Sequence, residues 1–391
     1  MITNALKTPA PRGAVPAYDP FQKGSVPERD FHPGCEQSRY SGESWAGHHR
    51  SRGVSTTMTA PLHGTSTDSD PVATADVAAD VVKASVEGRS LRQIAWSRLK
   101  RDKLALTGGI VVVFLVLVAI FAPLIVSLLG HPPNEFHQEE IDPLFGTPKG
   151  SMGGISSDFL FGVEPSNGRD VFSRVIYGAR ISLLVAFLAA VVAVVLGTIF
   201  GIIAGYFGGW VDSLISRVMD MLLAFPQLLF IISLVSVLPN DLLGLTGSGV
   251  RIAILVSVIG FFGWPYVGRI VRGQTLSLRE KEYIEAARSL GAGRRYILFR
   301  ELLPNLVAPI TVYTTLMIPT NILTEAALSF LGAGVKPPTA SWGQMLSKAV
   351  GTYEDDPMFM IIPGVAIFVT VLAFNLFGDG VRDALDPKGT R

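Results

Sequence analysis

The sequence predicts an all-α polytopic membrane protein with six transmembrane helices behind a disordered N-terminal tail. Three observations carry that prediction. Only 17% of the 391 residues are charged and 49% are hydrophobic, whereas soluble chains average roughly 25% charged residues. The charge deficit falls beyond residue 103, where apolar runs reach the ~20 residues that a helix needs to cross a bilayer. The polar links between those runs also differ in sign, which gives the spans a direction.

Other features narrow the function classes. A net charge of +1 says nothing about partners, and no nucleic-acid partner is expected. The one cysteine, Cys35, permits no intrachain disulfide or cysteine-based metal site, and no apolar signal segment precedes it. Histidines 32, 48, 49, 63, 131 and 137 all fall outside the apolar runs. No metal ligands and no cofactor are expected.

Residues 1–90 are rich in Pro, Gly, Ser, Thr and charge without sustained periodicity. Such a segment buries too little apolar surface to offset its ordering entropy, so it is expected to be a disordered cytoplasmic tail. Met58 is an alternative start, and the His48-His49 pair reads as ordinary tail. Arg92, Arg98, Lys100, Arg101 and Lys103 then lead into an uncharged run, Leu104 to Leu129, the first span. This basic edge places the N-terminus in the cytoplasm.

The loop 130–172 is acidic and Gly/Pro-rich, suiting an irregular outer segment with a short helix or strand pair. Span two is Ile181 to Phe207, whose Gly197, Gly201 and Gly205 share one face and permit close helix packing. Span three runs from about Leu214 to Leu238, with Arg217 and Asp220 spaced to interact on one helix. Span four runs from about Ile252 to Val271, kinked at Pro265. Span five is Leu302 to Leu331, containing Pro309 and Pro319, and span six is Pro357 to Gly378. Six spans return the C-terminus to the cytoplasm. The basic link after span four and the acidic Glu354-Asp355-Asp356 after span five agree with that count.

The link Gly273 to Asn305 is too patterned for a connector. Ile284, Ala287, Leu290 and Gly291 recur at helical spacing, while Glu282, Glu285, Arg288 and Ser289 cover the other faces. Gly291 and Gly293 are expected to end this helix. A second amphipathic piece, Arg294 to Leu303, leads to Pro304, a helix-start residue for span five. Interleaved Glu280, Glu282 and Glu285 argue for a protein groove rather than anionic lipid as the surface it meets.

Here the chain resembles a family. Glu285-Ala286-Ala287, then Gly291, then Leu303-Pro304 resembles the EAA loop of bacterial ABC importer permeases, with Glu301 standing where the family usually has Ile. Gly168 to Arg174, Tyr177 to Leu183, Gly205-Tyr206-Phe207-Gly208-Gly209, Leu328 to Gly332, Ser341-Trp342-Gly343 and Gly378 to Pro387 resemble dipeptide and oligopeptide permeases, C-type subunit, in family order. Val163-Glu164 departs from the usual Thr-Asp, and the loop before it is long, which bears on contacts with a binding protein. The resemblance covers roughly residues 91–389.

It implies a type I ABC importer permease fold, with residues 91–391 as the six-helix domain and 273–305 as its coupling loop. Glu285, Ala286, Ala287, Gly291, Leu303 and Pro304 would be the ATPase-coupling residues. The implied partners are a second permease subunit, two cytoplasmic ABC ATPases, an extracytoplasmic binding protein, membrane lipid and a peptide substrate. The implied location is the bacterial inner membrane. No phosphate-binding Gly-Lys pair occurs, so the chain is read as a transport subunit, not an enzyme, with hydrolysis supplied in trans. A nickel-type importer and an ATP-independent secondary transporter are the alternatives. Secondary transporters place ionisable groups at mid-membrane. Here the charges within the runs lie toward their ends; Glu325, toward the outer end of span five, is expected to pair with a polar neighbour. A membrane enzyme is disfavoured because no histidine, cysteine or carboxylate pair lies within the spans.

Overall fold

The computed structural model describes residues 91–237 and 247–385. The expected tail with Cys35, His48, His49 and Met58, the end of the third span at Leu238, and residues 386–391 lie outside the described residues. Within them the regular structure is helical, apart from two isolated β-bridges, Ile141 with Pro148 and Val163 with Asp170. Five helices are long and apolar enough to cross a membrane, and a bent pair makes a sixth if counted as one span.

A short helix, α1 (Leu91–Leu99), precedes the first span. Asp102 then caps α2 (Lys103–Ile120), its carboxylate accepting from the backbone N–H of Leu104 at 2.9 Å and of Ala105 at 3.2 Å. The expected run to Leu129 is broken at Phe121, and α3 (Ala122–Leu129) continues it. Pro123 is the cause. It has no N–H and clashes with the preceding turn, but fits the first turn of a new helix.

The central column is α4 (Val171–Phe207), whose 37 residues span about 55 Å at 1.5 Å each. Its buried stripe is made of small residues, among them Ala186, Ala189, Ala190, Ala193, Gly197, Gly201 and Gly205. They let α7 (Ser248–Arg279) lie directly against it. A Cβ at Gly197 would stand 2.6 Å from Val267 Cβ, and one at Gly201 2.7 Å from the Gly268 carbonyl. The expected glycine face is a helix contact.

The third span differs from expectation. It is two helices, α5 (Gly209–Ala224) and α6 (Gln227–Val237), bent by 85°. Pro226 forces its predecessor out of helical conformation, and Phe225 is accordingly extended at φ −76, ψ 143. The expected Arg217–Asp220 pairing is not made. Asp220 instead pairs with Arg269 of α7 at 2.6 Å. Both side chains are half exposed, so the pair contributes little. At the same end of the bundle Arg272 pairs with Asp212.

After α7 come α8 (Glu282–Ser289) and α9 (Arg294–Phe330). The latter corrects one expectation. Arg294 to Leu303 is not a separate piece but continuous with the span, whose regular α-helix begins at Leu303 with Pro304 in its first turn, as expected. One helix runs through, widened to π turns at Ile297–Leu302. The wider turn accommodates the backbone before Pro304, which has no N–H to give. Two last helices, α10 (Trp342–Ala349) and α11 (Met358–Leu385), complete the bundle. Close packing recurs here: a Cβ at Gly380 would stand 2.0 Å from Ala105 Cβ of α2. The 130–170 loop and α10 lie at one end of the spans and α8 at the other.

Candidate functional site

The link carrying the expected site residues folds as a short helix fixed by one face. Ile284 is fully buried with Ile297 and Leu302 of α9, and Tyr206, Leu278, Ala292 and Leu298 pack around them. Burying such an isoleucine stabilises by about 1.5–3 kcal/mol, enough to seat an eight-residue helix that would not persist alone. Glu282 and Glu285 occupy the first turn and Arg288 the last, each where the helix dipole favours its charge. The Arg288 guanidinium lies over the Tyr206 ring at 5.8 Å, and that of Arg294 over Phe207 at 5.9 Å. The Tyr206-Phe207-Gly208-Gly209 motif thus forms the ledge on which the link rests. Arg279 adds a hydrogen bond from Nη1 to the Gly205 carbonyl at 3.0 Å.

The C-terminus of α8 is closed by its backbone. Gly291 N–H donates to the Arg288 carbonyl at 2.9 Å and Ala292 N–H to that of Ala287 at 3.0 Å. This paired pattern requires a left-handed residue between them, and Gly291 has φ +84. Gly293 plays a different part from the one expected. Its φ is −69, and it begins α9 rather than ending α8.

The expected inner face is only partly inner. Ile284 is buried and Ala287 half-buried, but Leu290 is 89% exposed at the tip. Glu285 and Ala286 are exposed beside it. Pro304 is exposed, and Leu303 half-buried, at the base of the same surface. The link therefore presents Glu285, Ala286, Leu290 and Pro304 outward while Ile284 anchors it. Leu290 is the residue that periodicity misplaced. It lies about 120° around α8 from Ile284, off the anchored stripe. On the anchored side, Asn305 donates through Nδ2 to the Tyr283 hydroxyl at 3.4 Å. Burial, and then the Glu301 carboxylate, raise the Tyr283 phenol above its ordinary pKa.

At the opposite end the loop 130–170 is clamped to the bundle by a buried ion cluster. Glu164, 1% exposed, receives Arg169 at 2.7 Å, Lys348 at 2.7 Å and Arg174 at 3.4 Å. Burial pushes its carboxyl up, but Arg174, Lys348 and Arg169 outweigh that and hold it below the usual carboxylate range. The position where the sequence departs from the family pattern is thus internal, holding the loop to α10. Glu325 of α9 is also fully buried, and it pairs with polar neighbours as expected. Its carboxylate accepts from Ser182 Oγ at 2.8 Å and Ser329 Oγ at 2.7 Å.

Comparison with known proteins places this architecture. A family described as binding-protein-dependent transport system inner membrane component matches residues 197–391, and one described as the N-terminal TM domain of oligopeptide transport permease C matches residues 90–143. The dipeptide transport system permease protein DppC of Alkalihalophilus pseudofirmus is 42% identical over 294 residues, covering 75% of this chain and 89% of that protein. The glutathione transport system permease protein GsiD of Shigella flexneri is 45% identical over 293 residues, with the same coverage. An inward-facing structure of the MetNI methionine ABC transporter aligns with a TM-score of 0.45 and 20% identity, over 55% of this chain and 97% of that one. The chain belongs to the inner-membrane permeases of binding-protein-dependent ABC transport systems, in the peptide-type group.

Proposed function

We propose that this permease is one of two different membrane subunits of an ATP-driven importer that carries di- and oligopeptides inward. Its partners are then a second permease, two cytoplasmic ATPase subunits and an extracytoplasmic substrate-binding protein. The polar link and both termini face the cytoplasm, which accords with the basic residues of that link. Residues 1–90 are the tail, 91–391 the permease domain and 273–305 its coupling loop.

One observation carries the reading: α8 is held to the bundle by Ile284 and left bare at Glu285, Ala286 and Leu290. A helix mounted this way transmits a push, because Ile284 is packed with Leu278 of α7 and with Ile297 and Leu302 of α9. Glu285 accepts hydrogen bonds from the ATPase surface, Ala286 and Ala287 allow close approach, and Gly291 makes the turn that presents Leu290. Leu303 and Pro304 form the base from which the push enters α9. Closure of the ATPases on ATP then rocks the spans between outward and inward openings. The cargo assignment rests on relatives named for dipeptide and glutathione transport, both peptides.

The test is uptake of a labelled peptide by proteoliposomes holding the four-part complex and its binding protein. Uptake is expected only with ATP and both ATPase subunits. Uptake that persists without them would overturn the proposal, as would Ala286→Trp leaving ATPase co-purification and uptake intact.

A further inference from the structure

The Gly378–Pro387 motif has no role in the site described above. Its glycines serve packing: Gly380 lies against Ala105, and a Cβ at Gly378 would stand 3.1 Å from Leu316 of α9. Arg382, one turn beyond Gly378, is exposed and lines a cavity of about 590 Å³ between α5, α6, α7 and α9. That volume is within the roughly 300–1,000 Å³ of small-molecule sites. The break in the third span opens it, since Leu223 and Gln227 on either side of Pro226 both line it. Broken backbone at membrane depth is tolerated where it is buried in protein or lines a cavity.

The lining is unusual for an apolar bundle. Gln227, Tyr266, Tyr313, Thr320 and Thr324 bring amide and hydroxyl groups to it, and among the described residues Arg382 supplies its only charge and no carboxylate lines it. Thr320 and Thr324 donate their hydroxyl hydrogens to the carbonyls of Leu316 and Thr320, which leaves their lone pairs facing outward for an N–H donor. From Tyr313 to Thr324 the wall is about 16 Å long at 1.5 Å per residue. That is the length of about four to five extended residues at roughly 3.5 Å each. Arg382 sits at the α8 end of this wall. Asp379 and Asp383 flank it on α11, but neither lines the cavity, and its guanidinium makes no ion pair or hydrogen bond among the described residues.

We propose that this cavity is one wall of the peptide path and that Arg382 receives the cargo's C-terminal carboxylate. The inference rests on the peptide-importer reading above and adds a specificity-determining residue to it. Uncharged groups that both donate and accept satisfy a peptide backbone whatever its side chains, avoiding the cost of about 2–7 kcal/mol for each amide left unpaired in an apolar setting. The carboxylate is the one charge that every unmodified peptide shares at its C-terminus, and a guanidinium fork matches it.

The experiment compares a labelled tripeptide with its C-terminal amide in the reconstituted complex, at matched occupancy of the binding protein. Arg382→Gln should slow uptake of the acid on the order of tenfold, Arg382→Lys much less, and neither should further slow the amide. Assembly is checked by co-purification of the ATPases. A second arm places a cysteine at Thr320 in a Cys35→Ser chain and asks whether saturating peptide protects it from a small thiol reagent; protection is expected. Equal slowing of acid and amide, slowing of neither, or an unprotected cysteine at 320 overturns the inference. A wild-type complex that moves neither peptide with ATP overturns the function proposed above instead.

Discussion

Gly291 and Gly293 are two residues apart and equally unobstructed, since a Cβ at either meets nothing within 4 Å. They differ in backbone alone, with φ +84 at Gly291 and φ −69 at Gly293. Gly291→Ala therefore carries no steric term, only the left-handed penalty of an L-residue, roughly 1–2 kcal/mol. Gly293→Ala should be close to neutral, because the gain of about 0.4–1 kcal/mol from restricting the unfolded chain is offset by the loss of a glycine N-cap on α9. The penalty falls on the two hydrogen bonds that close α8, from Gly291 and Ala292. A loss of one to two kcal/mol should raise amide exchange at Ala292 by roughly 5–30-fold. Hydrogen exchange on the purified permease reads this directly, with ATPase co-purification as the functional counterpart. Gly291→Asn should fall between, because Asn tolerates the left-handed region better than Ala. Unchanged protection in Gly291→Ala, or equal loss in Gly293→Ala, would refute the reasoning.

Three further outcomes follow from the packing. Gly197→Val should cost more than the ~1–3 kcal/mol of ordinary overpacking, because backbone atoms of Gly268 and Trp264 stand 2.9 Å from the added carbon; Gly249→Ala, with nothing within 4 Å, is its control in a thermal melt. Glu164→Gln leaves buried Arg169 and Arg174 without their counter-ion and should destabilise the loop clamp by about 3 kcal/mol, seen as faster exchange over residues 131–170. The wild-type clamp is pH-sensitive in a fixed direction. Because the Glu164 carboxyl is held below its ordinary value, its contribution is present at neutral pH and lost as pH falls through the folded-state value, so exchange in that loop should accelerate on acidification and Glu164→Gln should abolish the dependence. Ile284→Ala should cost about 2–5 kcal/mol and release α8, whereas Leu290→Ala should leave α8 protected and weaken only ATPase co-purification.

Much of this protein is legible along the chain because a bilayer punishes local error. An apolar run of about 20 residues reads as a span, so the five spans crossed by a single helix were readable along the chain, as was the small-residue face of α4. The Gly291 turn was readable for a similar reason, since only one residue type is comfortable there. Where α8 lies between spans is likewise a property of sequence order.

What the sequence left open depended on neighbours it does not name. The third span reads as one run, Leu214 to Leu238, until Pro226 breaks it with an 85° bend. Arg217 and Asp220 have the spacing of a pair, yet Arg269 on another helix reaches Asp220 first. Glu164 reads as one more acid of the outer loop and is a buried counter-ion for three cations. Leu290 follows Ala287 by three residues, as a core residue would, but stands about 120° around α8 from Ile284, the side chain that anchors it. Local chemistry and periodicity decide what a segment forms. Which of its faces is bare, and which charges meet, is decided by contacts such as Arg279 with Gly205, 74 residues apart, and Lys348 with Glu164, 184 apart, and only the folded bundle brings those together.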